Sequence, residues 1–265
     1  NGRFKAILSC YIKDDKGEMK PFPMPTRDDL VIQMPSIKKK FSTYGAYSTA
    51  TINEVLTPAE REGAIILSAN YFSSSYIENL GAGKFKITEL PQEVQYAPVF
   101  GMISNDFDND GNLDALIVGN DYGTEVFTGR YDAMIGLYLK GDGKGKFSSI
   151  PVSKSGFFVD GDAKGMAELY TKKGEKLIVV TQNRDSLKVF SKIGKTKEVN
   201  NPNVLSLNRN DSWAELTIKN GKKQKVEFYY GSTYLSQSSR KFELQPNLES
   251  IDIFQFSGEK RTIKF

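Results

Sequence analysis

Three stretches of this chain repeat one pattern. A repeat constrains a fold more than any local propensity does, because each copy must bury its apolar face against neighbours built alike. Each copy sets a short apolar run ending near an asparagine ahead of a loop and a second run rich in Tyr, Leu or Val. These are residues 64–70 with 75–79, 115–120 with 135–140, and 177–183 with 186–191. The first two copies also share a glycine turn, Gly81-Ala82-Gly83-Lys84-Phe85 and Gly143-Lys144-Gly145-Lys146-Phe147, where glycine supplies the positive φ of a tight hairpin. Units of about 40 to 60 residues with four short strands predict β-propeller blades. The expected fold is therefore mainly β, with a partial β-propeller of three to four blades over residues 1–195. Residues 122–133, with Gly123 and Gly129, read as a surface loop inserted in the second copy.

Two segments depart from the repeat. Leu30, Met34, Ile37 and Phe41 recur at helical spacing after Asp28 and Asp29, and Thr57-Pro58 pairs an N-cap with a first-turn proline ahead of Gly63. Residues 26–62 are thus expected to be a helical insertion. Upstream, residues 5–11 and the turn at 13–17 read as part of a further blade. Residues 192–202 read as a linker, polar and marked by Gly194 and Pro202. Beyond it, residues 213–219 and 222–230 flank Asn220-Gly221, a strong hairpin signal, and strands at 248–254 and 261–265 flank a turn at 257–259. This predicts a small C-terminal all-β domain over 200–265.

Composition removes whole classes of mechanism. The chain has no histidine, which excludes an imidazole base, a Ser-His or Cys-His nucleophile and a His-ligated metal. Cys10 is alone, so it forms no internal disulfide and no thiolate metal site, and it reads as a small apolar core residue. A net charge of +4 is too mild to point to nucleic acid. The longest apolar runs, 64–67 and 177–180, fall far short of a membrane span. The start at Asn1-Gly2-Arg3, with no initiator Met, suggests a processed or trimmed N-terminus.

The chemistry concentrates in Asn105-Asp106-Phe107-Asp108-Asn109-Asp110-Gly111-Asn112-Leu113-Asp114. Calcium takes six to eight hard oxygen ligands, and carboxylates spaced by two around a glycine bend converge on one point. Asp106, Asp108, Asp110 and Asp114 are the expected side-chain ligands, with the backbone carbonyl of Asn112 a fifth. An EF-hand would need a bidentate Glu at Ile117, and an apolar strand run follows where a helix should. Aligning the third copy through Gly174 puts Leu169, Thr171, Lys173 and Leu177 at the ligand positions, and the first copy has Ala64 in place of Asp114. An ion used in one repeat and absent from the others pins a loop, so the expected role of calcium is structural. Asp160 and Asp162 could pair with Glu168 as a general acid–base set, but no second convergent feature points to catalysis there. The tyrosines, among them Tyr71, Tyr76, Tyr122, Tyr131, Tyr229, Tyr230 and Tyr234, keep a glycan-stacking face in view.

The pattern Asp106-x-Asp108-x-Asp110-Gly111-x-x-Asp114 followed by Ala115-Leu116-Ile117-Val118 resembles the calcium loop of FG-GAP/VCBS repeats, the blades of integrin-α-like propellers. The segment Gly231-Ser232-Thr233-Tyr234-Leu235-Ser236-Gln237-Ser238, with the last strand and Ser257-Gly258, resembles the ASPIC/UnbV domain that closes the cartilage-acidic-protein-like group. Gln255-Phe256 stand where that domain usually has Trp-Pro. The resemblance implies a secreted or cell-surface location, about seven blades in the whole protein and hence a C-terminal fragment here. The function expected is a non-enzymatic extracellular module that binds a glycan or protein and is held by one calcium ion, with self-association through exposed blade edges. The alternative is a calcium-dependent polysaccharide lyase or hydrolase whose catalytic residues lie partly outside the chain.

Overall fold

The computed structural model of the chain describes residues 6–126, 128–172, 174–192, 204–219, 221, 223–245 and 247–265. Most of the expected linker (193–202), Lys173 of the third repeat, Asn220 of the expected hairpin turn and residues 1–5 lie outside the described residues. The protein is mainly β, built from several small antiparallel sheets. Among the described residues these sheets close no barrel or propeller ring. The chain divides into two compact units, Asn1–Asn70 and Tyr71–Phe265.

In the first unit β1 (Ser9–Lys13) pairs antiparallel with β2 (Met19–Pro23). The turn is set by Asp14, whose carboxylate accepts the N–H groups of Lys16 and Glu18. Four short helices follow: α1 (Arg27–Gln33), α2 (Ser36–Lys40), α3 (Tyr44–Ser48) and α4 (Ile52–Val55). Leu30, Ile37, Phe41, Ala50 and Val55 form the core. The apolar spacing from Leu30 to Phe41 reads as one helical pattern in the sequence, but the chain makes two helices of it. Met34 leaves helical geometry ahead of Pro35, whose ring disfavours the α conformation in the preceding residue. Thr57-Pro58 does open a short turn, Ala59–Arg61, which is 3-10 rather than α. Cys10 is half-buried on β1 and belongs to no core cluster, because a two-stranded ribbon has only one face to cover.

The second unit begins with the hairpin of β3 (Ser75–Gly81) and β4 (Lys84–Glu89). A four-stranded meander follows, β5 (Val99–Asn105), β6 (Asp114–Gly119), β7 (Leu137–Gly141) and β8 (Phe147–Ile150), paired in that order. The short helix α5 (Val152–Ser155) leads into a three-stranded sheet of β9 (Ala163–Tyr170), β10 (Lys176–Gln182) and β11 (Lys188–Ser191). The remainder comprises β12 (Val204–Ser206), β13 (Asp211–Ile218), β14 (Lys223–Glu227), β15 (Lys241–Glu243), β16 (Leu248–Gln255) and β17 (Lys260–Lys264). Here β12 pairs with β15, and the larger sheet runs β14-β13-β16-β17.

Strand β6 explains its own composition. It is buried along its whole length, so both faces must be apolar and the period-two alternation disappears. Leu116 and Val118 enter a core shared with Val159, Met166, Ile178 and Val180. Ala115 and Ile117 enter a second core with Val94, Met134, Leu137 and Leu139. A Cβ on Gly101 of β5 would lie 2.7 Å from Val118 Cγ2 on β6 and 3.0 Å from Met166 Cβ on β9, so the missing side chain lets the two sheets pack this closely. Residues 231–238 dock on β5 and β9: Thr233 Oγ1 accepts from Met102 N and donates to Phe100 O, and Ser238 Oγ accepts from Glu168 N.

One repeat differs from expectation. Residues 64–70 form no strand: Ile65, Ile66 and Leu67 are 84%, 72% and 87% exposed. Apolar content does not make a strand without an edge to pair with, and no described residue supplies that ladder.

Truncating β6 at its most enclosed side chain tests this arrangement. Ile117→Ala should destabilise the protein by about 3 kcal/mol, whereas Val126→Ala, at a position 95% exposed, should change stability by less than about 0.5 kcal/mol. Denaturant unfolding midpoints of the two variants measure the difference.

Candidate metal centre

The acidic loop joins β5 to β6, and its shape follows from its own side chains. The Asp106 carboxylate accepts the N–H groups of Asp110 (3.1 Å) and Gly111 (2.9 Å). Asp108 also accepts from Asp110 N at 3.2 Å, and Asp110 from Asn112 N at 2.9 Å. Each aspartate thus caps backbone two to five residues ahead, which coils the chain around the carboxylates. Gly111, at φ 88°, makes the sharp bend that aims its N–H back at Asp106. Phe107, between two of the aspartates, packs on the core and sits edge-on to Tyr138 at 6.0 Å, anchoring the loop from beneath.

Asp114 ends the loop and is fully buried. Its carboxylate accepts three hydrogen bonds, from Phe107 N (3.1 Å), Tyr138 Oη (2.9 Å) and Gly141 N (2.9 Å). All three donors are neutral, and among the described residues no lysine or arginine pairs with it. Burial and the Asp114 hydrogen bond raise the Tyr138 hydroxyl well above its ordinary value, so it remains a donor. Gly141 admits this contact because a Cβ there would lie 2.1 Å from the Leu113 carbonyl oxygen.

Of the four carboxylates expected as ligands from sequence, the structure gathers three. Carboxylate oxygens of Asp106, Asp108 and Asp114 lie within 4.8 Å of one another, which is close enough to hold a metal ion. Asp110 turns elsewhere, onto the Lys140 ammonium at 2.7 Å, and Lys140 also pairs with Asp108. The lysine, followed by the N–H of Asn112, holds the Asp110 carboxyl below its ordinary value, while the two aspartates raise Lys140. Asn112 supplies the backbone N–H that caps Asp110, and its side-chain oxygen lies where a Cβ on Gly143 would fall.

Tyr138, Lys140 and Gly141 were not singled out in the sequence. Tyr138 and Lys140 are two residues apart on β7 and therefore share a face. That signal becomes readable only once β7 is known to pair beside β6. The three carboxylates of the acid–base set have separate partners. Asp160 pairs with Lys188, Asp162 with Asn183 and Lys164, and Glu168 with Asn105 and Lys176. The tyrosines likewise serve separate contacts, Tyr76 against Phe147 and Tyr230 beneath the Arg240 guanidinium.

No protein-family model matches the chain, and no curated protein matches it either.

Two outcomes follow from this geometry. Tyr138→Phe keeps the ring but removes a donor from a buried carboxylate, so it should cost about 1–3 kcal/mol in denaturant unfolding. A carboxyl whose folded pKa lies below its ordinary value stabilises the fold above that value and loses the contribution as pH falls through the folded one. The cation-free protein should therefore weaken as pH drops below about 3.8, and Asp110→Asn should flatten that limb of the stability profile.

Proposed function

We propose that this chain is a non-enzymatic binding or scaffold module held by one structural calcium ion at the 106–114 loop, working outside the cell or on its surface. The observation that carries the reading is Asp114, a fully buried carboxylate with neutral donors only, beside two further carboxylates within ligand distance. A buried charge is ordinarily paired or bound to a metal. The donor set is all oxygen and largely anionic, which suits a hard ion of calcium's size over zinc or copper. Asp106, Asp108 and Asp114 are the side chains that would hold it, with Asp110 and the Asn112 carbonyl completing the set once Asp110 leaves Lys140.

The resemblance to FG-GAP/VCBS repeats closed by an ASPIC/UnbV domain gives the wider setting. On that reading the β5–β8 meander is one blade, β9–β11 most of another, and the sheets from β12 onward the closing domain. Support comes from their sequential antiparallel pairing and from the core shared by the first two sheets. The partner is a glycan or a protein of the extracellular space. No helix among the described residues is long and apolar enough to cross a membrane.

Thermal unfolding in chelator and then in calcium is the test. Ligand linkage predicts about 3 kcal/mol of stabilisation when free calcium is 100 times Kd, and Asp108→Asn should abolish the shift. A melting temperature indifferent to calcium would remove the structural ion. Turnover of a polysaccharide by this chain, in place of simple binding, would replace the module with an enzyme.

A further inference from the structure

We propose that Lys140 is a built-in competitor for the cation at the 106–114 loop: its ammonium holds Asp108 and Asp110 while no divalent ion is bound, and it must swing out before one binds. The inference rests on the calcium reading above and adds its regulation.

The geometry provides both positions. Lys140 projects from β7 across to the loop and reaches two carboxylates at once, at 2.7 Å from Asp110 Oδ2 and in contact with Asp108. One of these, Asp108, belongs to the group that converges with Asp106 and Asp114. The other, Asp110, is the aspartate that does not converge. The ammonium and a metal ion therefore draw on the same Asp108 carboxylate, and Asp110 cannot serve both. The lysine side chain is 40% exposed. Its four-carbon stem is flexible and its head strongly hydrated, so water can receive the ammonium when it leaves. Asp114 is not part of this exchange, since among the described residues no ammonium pairs with it and its partners are the neutral donors of Phe107, Tyr138 and Gly141.

The repeats supply an independent observation. Matching the glycine turns places Glu78 of β3 where β7 has Lys140, and the pairing confirms the match. Lys140 faces Ser148 on β8, and Glu78 faces Lys86 on β4. In the third copy the corresponding residue is Ser191, opposite Leu177. The lysine occurs only in the copy that has the acidic loop. A lysine serving strand pairing or solubility would have no reason to follow the aspartates. A counter-cation would.

The experiment compares wild type with Lys140→Gln and Lys140→Met, which remove the charge, and with Lys140→Arg, which keeps it. Calcium binding is measured by calorimetry, and thermal unfolding in chelator is followed alongside. Both neutral variants should bind calcium about tenfold more tightly, the size expected of one nearby charge at the protein surface, and should melt lower than wild type when chelated. Lys140→Arg should resemble wild type in both. Calcium binding by the neutral variants alone would also support the proposal. Equal or weaker affinity in the neutral variants, with wild type still binding calcium, would overturn the competition and leave the calcium reading intact. Binding by none of the proteins at millimolar calcium would overturn both.

Discussion

A carboxylate with no exposure to water and no cation beside it is an expensive thing to place in a protein. Asp114 is tolerated because three donors turn toward it from two elements: Phe107 N from the loop, and the Tyr138 hydroxyl and Gly141 N from β7. Hydrogen bonds to a charged acceptor are individually stronger than neutral ones. Three of them fix the spacing of β6 and β7 and the exit angle of the loop at a single point. The other aspartates can then coil around Gly111 in one arrangement, because the loop's end is already pinned.

The apolar layers follow from the same pin. With Asp114 at its start, β6 runs directly into Ala115, Leu116, Ile117 and Val118, which feed alternate side chains to two different cores. The polar site and the most enclosed part of the unit are thus neighbours on one strand. A disturbance of the loop reaches the core through a single residue, and Phe107 couples them again by packing on the core from the loop's far side.

Much of this was legible in the sequence where the determinant is local. The aspartate spacing around Gly111 states the loop outright, and the apolar runs at β6 and β10 and the glycine turn before β8 mark real strands. The sequence was silent where the determinant is pairing. Tyr138 and Lys140 acquire their roles only from the register that sets β7 beside β6, and β5 and β9, with mixed composition, become strands because they have partners. The run at 64–70 shows the converse, since its residues are as apolar as those of β6 yet it finds no ladder among the described residues and stays exposed. Pro35 likewise decided what the helical spacing could not, dividing one apolar stripe between two helices.

The loop therefore divides into two halves with different physics. Its inner half is Asp114, tied to the loop and to β7 by neutral donors of the chain itself and left, among the described residues, without a counter-cation. Its outer half, Asp108 and Asp110, is satisfied by a cation, and the chain carries one of its own in Lys140. An internal ammonium costs no translational entropy to recruit, so it keeps like-charged carboxylates from forcing the loop open. A divalent ion brings twice the charge and can engage Asp106 and Asp114 as well, which the lysine is not seen to do. The chain can thus hold the loop with its own ammonium and still leave a metal ion something to gain.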